Sequence, residues 1–559
     1  MAVNKVVLGD RTLIDLSYDT ATEADVAKGK YFHRADGEIV EGTLEGSGGS
    51  GGGGELVERE VNFYDYDGTL LYSYDLAGVQ AMNELPEPPT HEGLTFQRWN
   101  WTLDEIKSQN GEANVGASYI TDDRKTRLYI NIAYDVQKTV TILVGCQVAT
   151  TMVINWGDGT DDRQVDIPNN SIKETVAYFS HTYENTGEYV ITLSHDADYD
   201  VYLGSRSRSV FNQTRGAATE ILRNGILRKI EIGRKMGFGP CALCNCSNLK
   251  TMTMPTGCSY QNLNGDTTYI SYCNIALKAL VIPRSFYFCS NHYYGCSNLE
   301  VLSLPGNLAG VSDNAFTNCK SLNNITIPNS AQSLLANCFS NNSFRKITVP
   351  KNITSVKSNA FSNNTRLMEI TIQGNPTTWE AFGFNSPALE SFDVPKSVKT
   401  IPGSAFSSCS NLKNVNLPEK LTSIGYAAFK TCYKLSSIHI PDSVSSIGSS
   451  AFYNCSSLCE VNIPESLTEL STEVFGNCAG IVSLEMPAGI NTIGSNAFYN
   501  CVNLRRIDFS RHTTVPTLAA TSAFGNNHST FEIRVPLALY DEWIAATNWS
   551  SYKNKIVAV

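Results

Sequence analysis

The sequence predicts a mainly β, multidomain protein, and three observations carry that expectation. The second half of the chain repeats at a fixed step: Cys409, Cys432, Cys455, Cys478 and Cys501 lie 23 residues apart. Before the repeat, "TRLYINIAY", "TVTILVG", "TMVINWGDGTDD" and "GEYVITLSH" read as alternating strands. A run of "GSGGSGGGG" at residues 46–54 is a flexible linker that sets off a short leading segment. At 559 residues the prior is about four domains. Apolar content of 42% against 17% charged allows a large core and a little-charged surface.

Residues 1–45 form the first module. "TATEADVAKG" has the marks of a helix, with Thr20 or Thr22 as cap, acids in the first turn and Gly29 at the end. Asp36-Gly37 marks a turn. The segment is too small for much of a core, so it is expected to dock or oligomerise. In residues 55–111, "VNFYDY" and "TLLYSY" flank Asp67-Gly68, a strong hairpin signal. Asp65-Tyr66-Asp67-Gly68-Thr69 resembles the first motif of haloacid dehalogenase-type phosphatases, where one carboxylate attacks phosphorus beside a second carboxyl group. That chemistry also needs a parallel α/β sheet and a later Lys and acidic pair. No strand–helix alternation follows, so a hairpin is expected and no enzyme. "LPEPPTHEGLTFQRW" resembles the small β-grasp repeats of internalin B-type bacterial surface proteins.

Residues 112–200 are expected to form a β-sandwich. "INWGDGT" and "HTYENTGEYVITL", with Trp156, Gly157, Asp158, Gly159, His181, Tyr183, Gly187 and Tyr189, resemble the immunoglobulin-like polycystic kidney disease (PKD) domain. The resemblance implies a spacer or carbohydrate-associated module. Asp158, Asp161 and Asp162 offer oxygen ligands for calcium, but the loop lacks the spacing of a calcium loop, and a plain turn is favoured.

After a connector at 201–228, residues 229–530 repeat. Cys246, Cys273, Cys296 and Cys319 extend the cysteine register backward, with Asn342, Asn364 and Pro387 in the intervening coils. Phe316, Phe339, Phe361, Phe384, Phe406, Phe429, Phe452, Phe475 and Phe498 keep step three residues ahead. In "LKNVNLP", Leu412, Val415 and Leu417 point inward and Asn414 and Asn416 outward, as in a short strand ended by Pro418. No coil buries its own apolar face, so the coils must stack into a solenoid. The form "L..I.IP..V..IG..AF..C" resembles the BspA-type leucine-rich repeats of bacterial surface antigens. The cysteine column is expected to hold buried free thiols, because parallel Cβ vectors suit a disulfide torsion poorly. Cys241, Cys244, Cys246 and Cys258 suggest a zinc set, but Cys246 already belongs to the column. Residues 531–559 are a C-terminal cap. The sequons at Asn352 and Asn363 are read as chance.

Net charge is −11 and no Lys/Arg run occurs, which excludes the electrostatic footprint of nucleic-acid binding. No apolar run spans a membrane, and no Sec signal is visible. No cofactor or metal is expected. Histidine is scarce, and His181 and His439 each have a structural explanation. The candidate binding face is the outward strand row: Ser303, Thr326, Thr348, Thr371, Asp393, Asn416, His439, Asn462, Glu485 and Asp508, with Lys346, Glu369, Glu460 and Arg506 two residues earlier. A second candidate is aromatic: Tyr293, Tyr294, Tyr426, Tyr433, Tyr453 and Tyr499. The opening "VVLGDRTLIDLSYDT", its "DG..I.GT" ending before the linker and the module that follows resemble tail or receptor-binding proteins of bacteriophages of gut bacteria. That resemblance implies a virion protein released by lysis. It would attach through residues 1–45 to other virion proteins and bind a host-surface glycan or protein, as a homo-oligomer, with a trimer in view. The alternatives are a BspA-like cell-surface adhesin and a head-decoration or purely structural virion protein.

Overall fold

The computed structural model describes residues 60–559 except 110, 147, 169–176, 199, 205–224, 239–241, 244–245, 259–275, 285, 287–289 and 381, together with strand residues 3–8, 11–15, 31–34 and 39–41. The expected helix over 20–29, the Asp36-Gly37 turn, the linker and Cys241, Cys244 and Cys273 lie outside the described residues. The chain divides into two compact units, Met1–Glu58 and Arg59–Val559. In the first, four antiparallel strands follow the order Arg11–Asp15, Val3–Leu8, Tyr31–Arg34, Ile39–Glu41.

The second unit begins with a hairpin, Glu60–Tyr64 against Leu70–Asp75. Its turn is closed by Asp65 N–H to Thr69 O and Gly68 N–H to Asp65 O, with Gly68 at φ 92°. The phosphatase-like phrase is therefore a hairpin end. Asp65 is buried and meets His91 Nε2 at 2.8 Å. Burial raises its carboxyl pKa, against the pull of the Tyr66 N–H and His91. The strand Ala113–Thr121 pairs in parallel with Glu60–Tyr64 and antiparallel with Leu94–Trp99. It completes this sheet, so the expected boundary after residue 111 falls one strand too early. Ala113–Thr121 was not among the expected strands, and its place in this sheet depends on a partner about 50 residues earlier.

Two further sheets face each other over one core. One runs Arg163–Ile167, Thr150–Asn155, Gly187–Ser194, Thr126–Ile132, Leu227–Glu231, Thr251–Thr253. The other runs Ala177–Thr182, Thr139–Cys146, Val201–Leu203, Met236–Phe238. The outer strands pair antiparallel, whereas Leu227–Glu231 joins Thr251–Thr253, and Val201–Leu203 joins Met236–Phe238, in parallel. Both sheets thus change from hairpin pairing to solenoid pairing without a break. A single hydrophobic cluster runs from Leu128 to Ile556.

Within the solenoid, phenylalanines stack coil on coil. From Phe406 through Phe429, Phe452, Phe475 and Phe498 to Phe524, ring centroids are 5.1–5.7 Å apart and planes differ by 3–13°. At those separations the rings are offset, the geometry aromatic quadrupoles favour. Tyr293 occupies the same stack, 5.6 Å from Phe316 and fully buried. It is therefore a core residue, not part of an exposed aromatic patch. The cysteine column has a polar task as well as an apolar one. Cys432, Cys455, Cys478 and Cys501 each direct Sγ to the carbonyl of the phenylalanine 26 residues earlier, at 3.1–3.2 Å. Asn342 and Asn364 make the equivalent bonds with Nδ2, to Phe316 O and Phe339 O at 3.0 Å. That equivalence explains why asparagine can replace cysteine in a buried register. All described cysteines are free thiols, and of these only Cys459 is exposed.

Each of these coils also has two left-handed positions, two residues before and two after the stacked ring, and asparagine fills many of them. Asn314 and Asn318 have φ 52° and 64°, and Asn496 and Asn500 have φ 57° and 59°. Asparagine tolerates that region better than other residues carrying a Cβ. Asparagine is thus favoured by the turns, although Ser404, Ser408, Ala427, Thr431, Ser450 and Glu473 take the same conformation in other coils.

Candidate functional site

The outward strand row divides into two environments. Ser303 is fully buried and Thr326 is 6% exposed, because the small module lies across the strand face of the first coils. Asn100 sits at the centre of that contact. Its Nδ2 donates to Ile282 O, Ser303 O and Ser303 Oγ, while its Oδ1 accepts from Gly116 N–H. Trp101 Nε1 donates to Leu304 O at 2.7 Å. Gln109 donates to Ile327 O and accepts from Asn329 N–H. Arg284 clamps Glu105 in a two-pronged pair at 2.6 and 2.9 Å. Gly116 is required by close approach: a Cβ there would stand 2.5 Å from Val281 Cγ1. Ser303 and Thr326 are therefore withdrawn from the candidate binding face. Sequence pattern shows that they point out of the coil; what covers them comes from a segment about 200 residues earlier.

The rest of the row is open. Thr348, Thr371, Asp393, Asn416, His439 and Glu485 are exposed, and Asn462, Arg506 and Asp508 half-buried. Neighbouring coils tie their side chains together. Lys346 pairs with Glu369 at 3.2 Å, Lys413 with Glu390 at 2.8 Å, and Asn416 Nδ2 donates to Asp393 Oδ1. The Lys413 ammonium holds the Glu390 carboxyl below its usual range.

At the middle of this open face the strand ladder separates. Asn414–Asn416 pairs with Ser391–Asp393, and Ser437–Ile438 pairs with Glu460–Val461, but the two pairs belong to different sheets. Elsewhere the residue after the strand donates its N–H to a backbone carbonyl of the next coil, as Val394 does to Asn416 and Met486 to Asp508. In the coil that follows the separation, Ile440 N–H goes instead to Asn462 Oδ1, and Asn462 Nδ2 returns a bond to Ile440 O, both at 2.7 Å. The amide side chain thus joins the Ser437–Ile438 and Glu460–Val461 coils, the pair beside the separation. The result is a groove of about 720 Å³ lined by Asn414, Asn416, Glu419, Ser437, His439, Cys459, Glu460 and Asn462. It collects four predicted residues, Asn416, His439, Glu460 and Asn462. Glu419, Ser437 and Cys459 were not predicted. Cys459 and Ser437 flank the strand positions, but only the spread of the coils opens them to a common space.

The aromatic candidates separate likewise. Tyr426 is 60% exposed, and Tyr433 and Tyr499 are also exposed, while Tyr453 is half-buried with Lys430 Nζ 5.3 Å from its ring centre. Tyr294 accepts from Asn318 Nδ2 at 2.7 Å. In the sandwich, Asp158 is engaged by Thr160 and by His181 Nε2 at 2.6 Å, and Asp162 accepts from Asn155. No cluster of three or more His, Cys, Asp or Glu side chains able to hold a metal ion occurs among the described residues. No helix among them is long and apolar enough to cross a membrane.

No curated protein matches the chain. Among solved structures, it is similar to a leucine-rich repeat protein from Bacteroides ovatus, with 18% identity, 65% of this chain and 96% of that one covered, and a TM-score of 0.38. It is similar to a leucine rich cell surface protein from Faecalibacterium prausnitzii at 21% identity, with 61% and 91% covered and a TM-score of 0.28. A third likeness is to the functional domain of InlJ from Listeria monocytogenes, described as including a cysteine ladder, at 11% identity, 60% and 72% coverage and a TM-score of 0.20. At such values these likenesses carry no argument about function. The repeat itself is matched directly: residues 287–413 and 400–530 fit the BspA type Leucine rich repeat region, in six copies, and the solenoid of this chain is built of BspA-type leucine-rich repeats.

Proposed function

We propose that this is a non-enzymatic recognition protein that acts outside the cell and binds a bacterial surface component through the open strand face of its solenoid. One observation supports this above others. The strand face is a docking surface within the chain itself, where the small module covers Ser303 and Thr326, and the same face further along is bare and opens into the groove at His439. Extended solenoid faces bind by shape and by rows of side chains. The Asn, Ser, His and Glu lining suits a polar ligand that exchanges hydrogen bonds with amide and carboxylate groups. The PKD-like sandwich serves as a rigid cap and spacer in this arrangement. Residues 1–45, which resemble phage attachment segments, anchor the protein to a virion as a homo-oligomer. A second reading, a BspA-like cell-surface adhesin, is favoured by the repeat family and uses the same face.

The test is binding of the fluorescently labelled full chain to a panel of bacterial strains, scored by cytometry. Binding restricted to certain strains, and lost in His439→Ala and Glu460→Lys, is the expected result. Binding to none of the strains, or binding indifferent to both substitutions, removes the strand face from consideration. Antibody labelling of phage particles and of producing cells then separates the virion from the adhesin: the first requires labelled particles, the second labelled cell surfaces.

A further inference from the structure

The turn side of the solenoid carries a second feature, independent of the groove. The position directly after the stacked phenylalanine reads Lys430, Tyr453, Gly476, Tyr499, Gly525 in five successive coils. Neither glycine is needed by the backbone: Gly525 has φ −67°, and Gly476 is not among the positive-φ residues. Glycine without a conformational reason weakens a fold through its unfolded-state freedom, so another reason is required. The neighbouring rings supply it. A Cβ at Gly476 would lie 3.0 and 3.2 Å from Cδ2 and Cε2 of Tyr453, and one at Gly525 would lie 3.0 and 3.1 Å from the same atoms of Tyr499. Each missing side chain lets the tyrosine of the preceding coil lie down across the next. Asn526 Nδ2 then holds the Tyr499 hydroxyl at 2.9 Å.

The consequence is two phenol rings at one register, two coils apart, Tyr453 floored by Gly476 and Tyr499 floored by Gly525. The underlying stack advances 5.4 and then 5.6 Å over those two steps. Beside the rings runs a row of neutral amides at the left-handed turn positions, where Asn500 Nδ2 donates to Asn477 Oδ1 at 2.7 Å. Tyr499 is 39% exposed although one face is floored, so its free face looks outward.

We propose that Tyr453 and Tyr499, floored by Gly476 and Gly525, form a saccharide-binding platform for alternate residues of an extended, neutral, β-linked glycan. The electron-rich ring faces attract the polarised C–H groups on the apolar face of a pyranose, by the electrostatics that draw cations to such rings. The first and third sugars lie on the two tyrosines, and the middle one spans the step between them. One coil step is close to the length of one β-linked hexopyranose, so rings two coils apart meet alternate sugars. The adjoining amides both donate and accept, as hydroxyl recognition requires. Lys430, now over Tyr453, moves aside on a flexible stem.

Affinity electrophoresis of the full chain tests this, in gels holding soluble β-1,4-mannan, β-1,4-xylan or mixed-linkage β-glucan. Retardation in at least one gel is expected. The Tyr453→Ala/Tyr499→Ala pair should weaken binding by about tenfold or more. Gly476→Val should weaken it by pushing the Tyr453 ring off its floor, and Tyr499→Phe should retain most of it. His439→Ala, on the strand face, should bind as the parent does, which keeps this outcome separate from that of the groove. Thermal unfolding of each variant close to that of the parent establishes that the loss is local. No retardation in any of the three gels, or equal retardation of the parent and the double tyrosine variant, overturns the proposal.

Discussion

Ser303 and His439 stand in the same column of the solenoid, yet one is sealed under another module and the other lines an open groove. The repeat treats them alike: each is an outward position in a short strand between apolar neighbours. Around Ser303 the face is closed by Asn100, Trp101 and Gln109, whose polar groups pair with coil backbone and side chains. Around His439 the strand ladder breaks on the Asn416 side, and on the other side an Asn462 side chain ties its coil to the next. A repeat position specifies a direction, and the surroundings along that direction are decided elsewhere in the chain.

The largest effect that would break the comparison is truncation. A chain beginning at residue 229 cuts through the strand Leu227–Glu231, removes its antiparallel partner Thr126–Ile132 and uncovers the Ser303 face. It should fail to yield a soluble monomer with the far-ultraviolet dichroism of the corresponding part of the full chain. A stable monomer by size-exclusion chromatography would show that the shared core is dispensable. Next in size is the same substitution at the two ends of the column. Ser303→Lys places an unpaired charge in a dry contact and should cost about 3–5 kcal/mol. Asn416→Lys, on the open face, should stay within about 0.5 kcal/mol. Denaturant midpoints of the two variants decide it, and equal shifts would erase the distinction.

The column beneath gives a middle-sized effect. Asn364→Ala leaves the Phe339 carbonyl without its donor and should cost about 1–3 kcal/mol in the same assay. Asn364→Cys restores the donor used in other coils and should recover part of the loss. A smaller effect concerns pH at the closed end. Burial alone would raise the Glu105 carboxyl, but Arg284 and Thr102 outweigh it and hold it below its ordinary 4.5. The folded carboxyl then binds its proton more weakly than the unfolded one. Its contribution is complete above the unfolded value and is lost as pH falls through the folded value. Stability measured between pH 6 and pH 3 should decline less steeply in Glu105→Gln than in the parent; parallel curves would discard the pair as a contributor.

The smallest effect is chemical and barely touches stability. Among the described thiols, iodoacetamide at pH 8 should label Cys459 in the native protein. Cys455, whose thiol burial pushes up to about 12, should react only after unfolding. Peptide mass spectrometry reads both, and native labelling of Cys455 would mean that the column opens.

Much of the fold could be read from the residues. The period, the inward Leu412 and Val415 and the stacked rings from Phe316 to Phe498 are properties of a coil that must match its neighbours. Stacking repeats the same demand at each step, so it leaves a periodic trace. The hairpin at Asp67-Gly68 was legible for a similar reason, being closed within a few residues. The binding face was legible only as a direction. Tyr293 was misplaced because tyrosine in an aromatic-rich turn looks like surface, although its register, 23 residues before Phe316, marked it as core. Asn100 and Ser303 lie 203 residues apart, and no periodicity links them. By itself, then, the sequence determined the solenoid, its inside and its outside, since those follow from local geometry repeated many times. Tertiary structure alone decided which stretch of the face is covered, where the strand ladder breaks between Asn416 and Ser437 and how Tyr453 and Tyr499 lie, because each depends on particular contacts between coils or modules that the repeat does not specify.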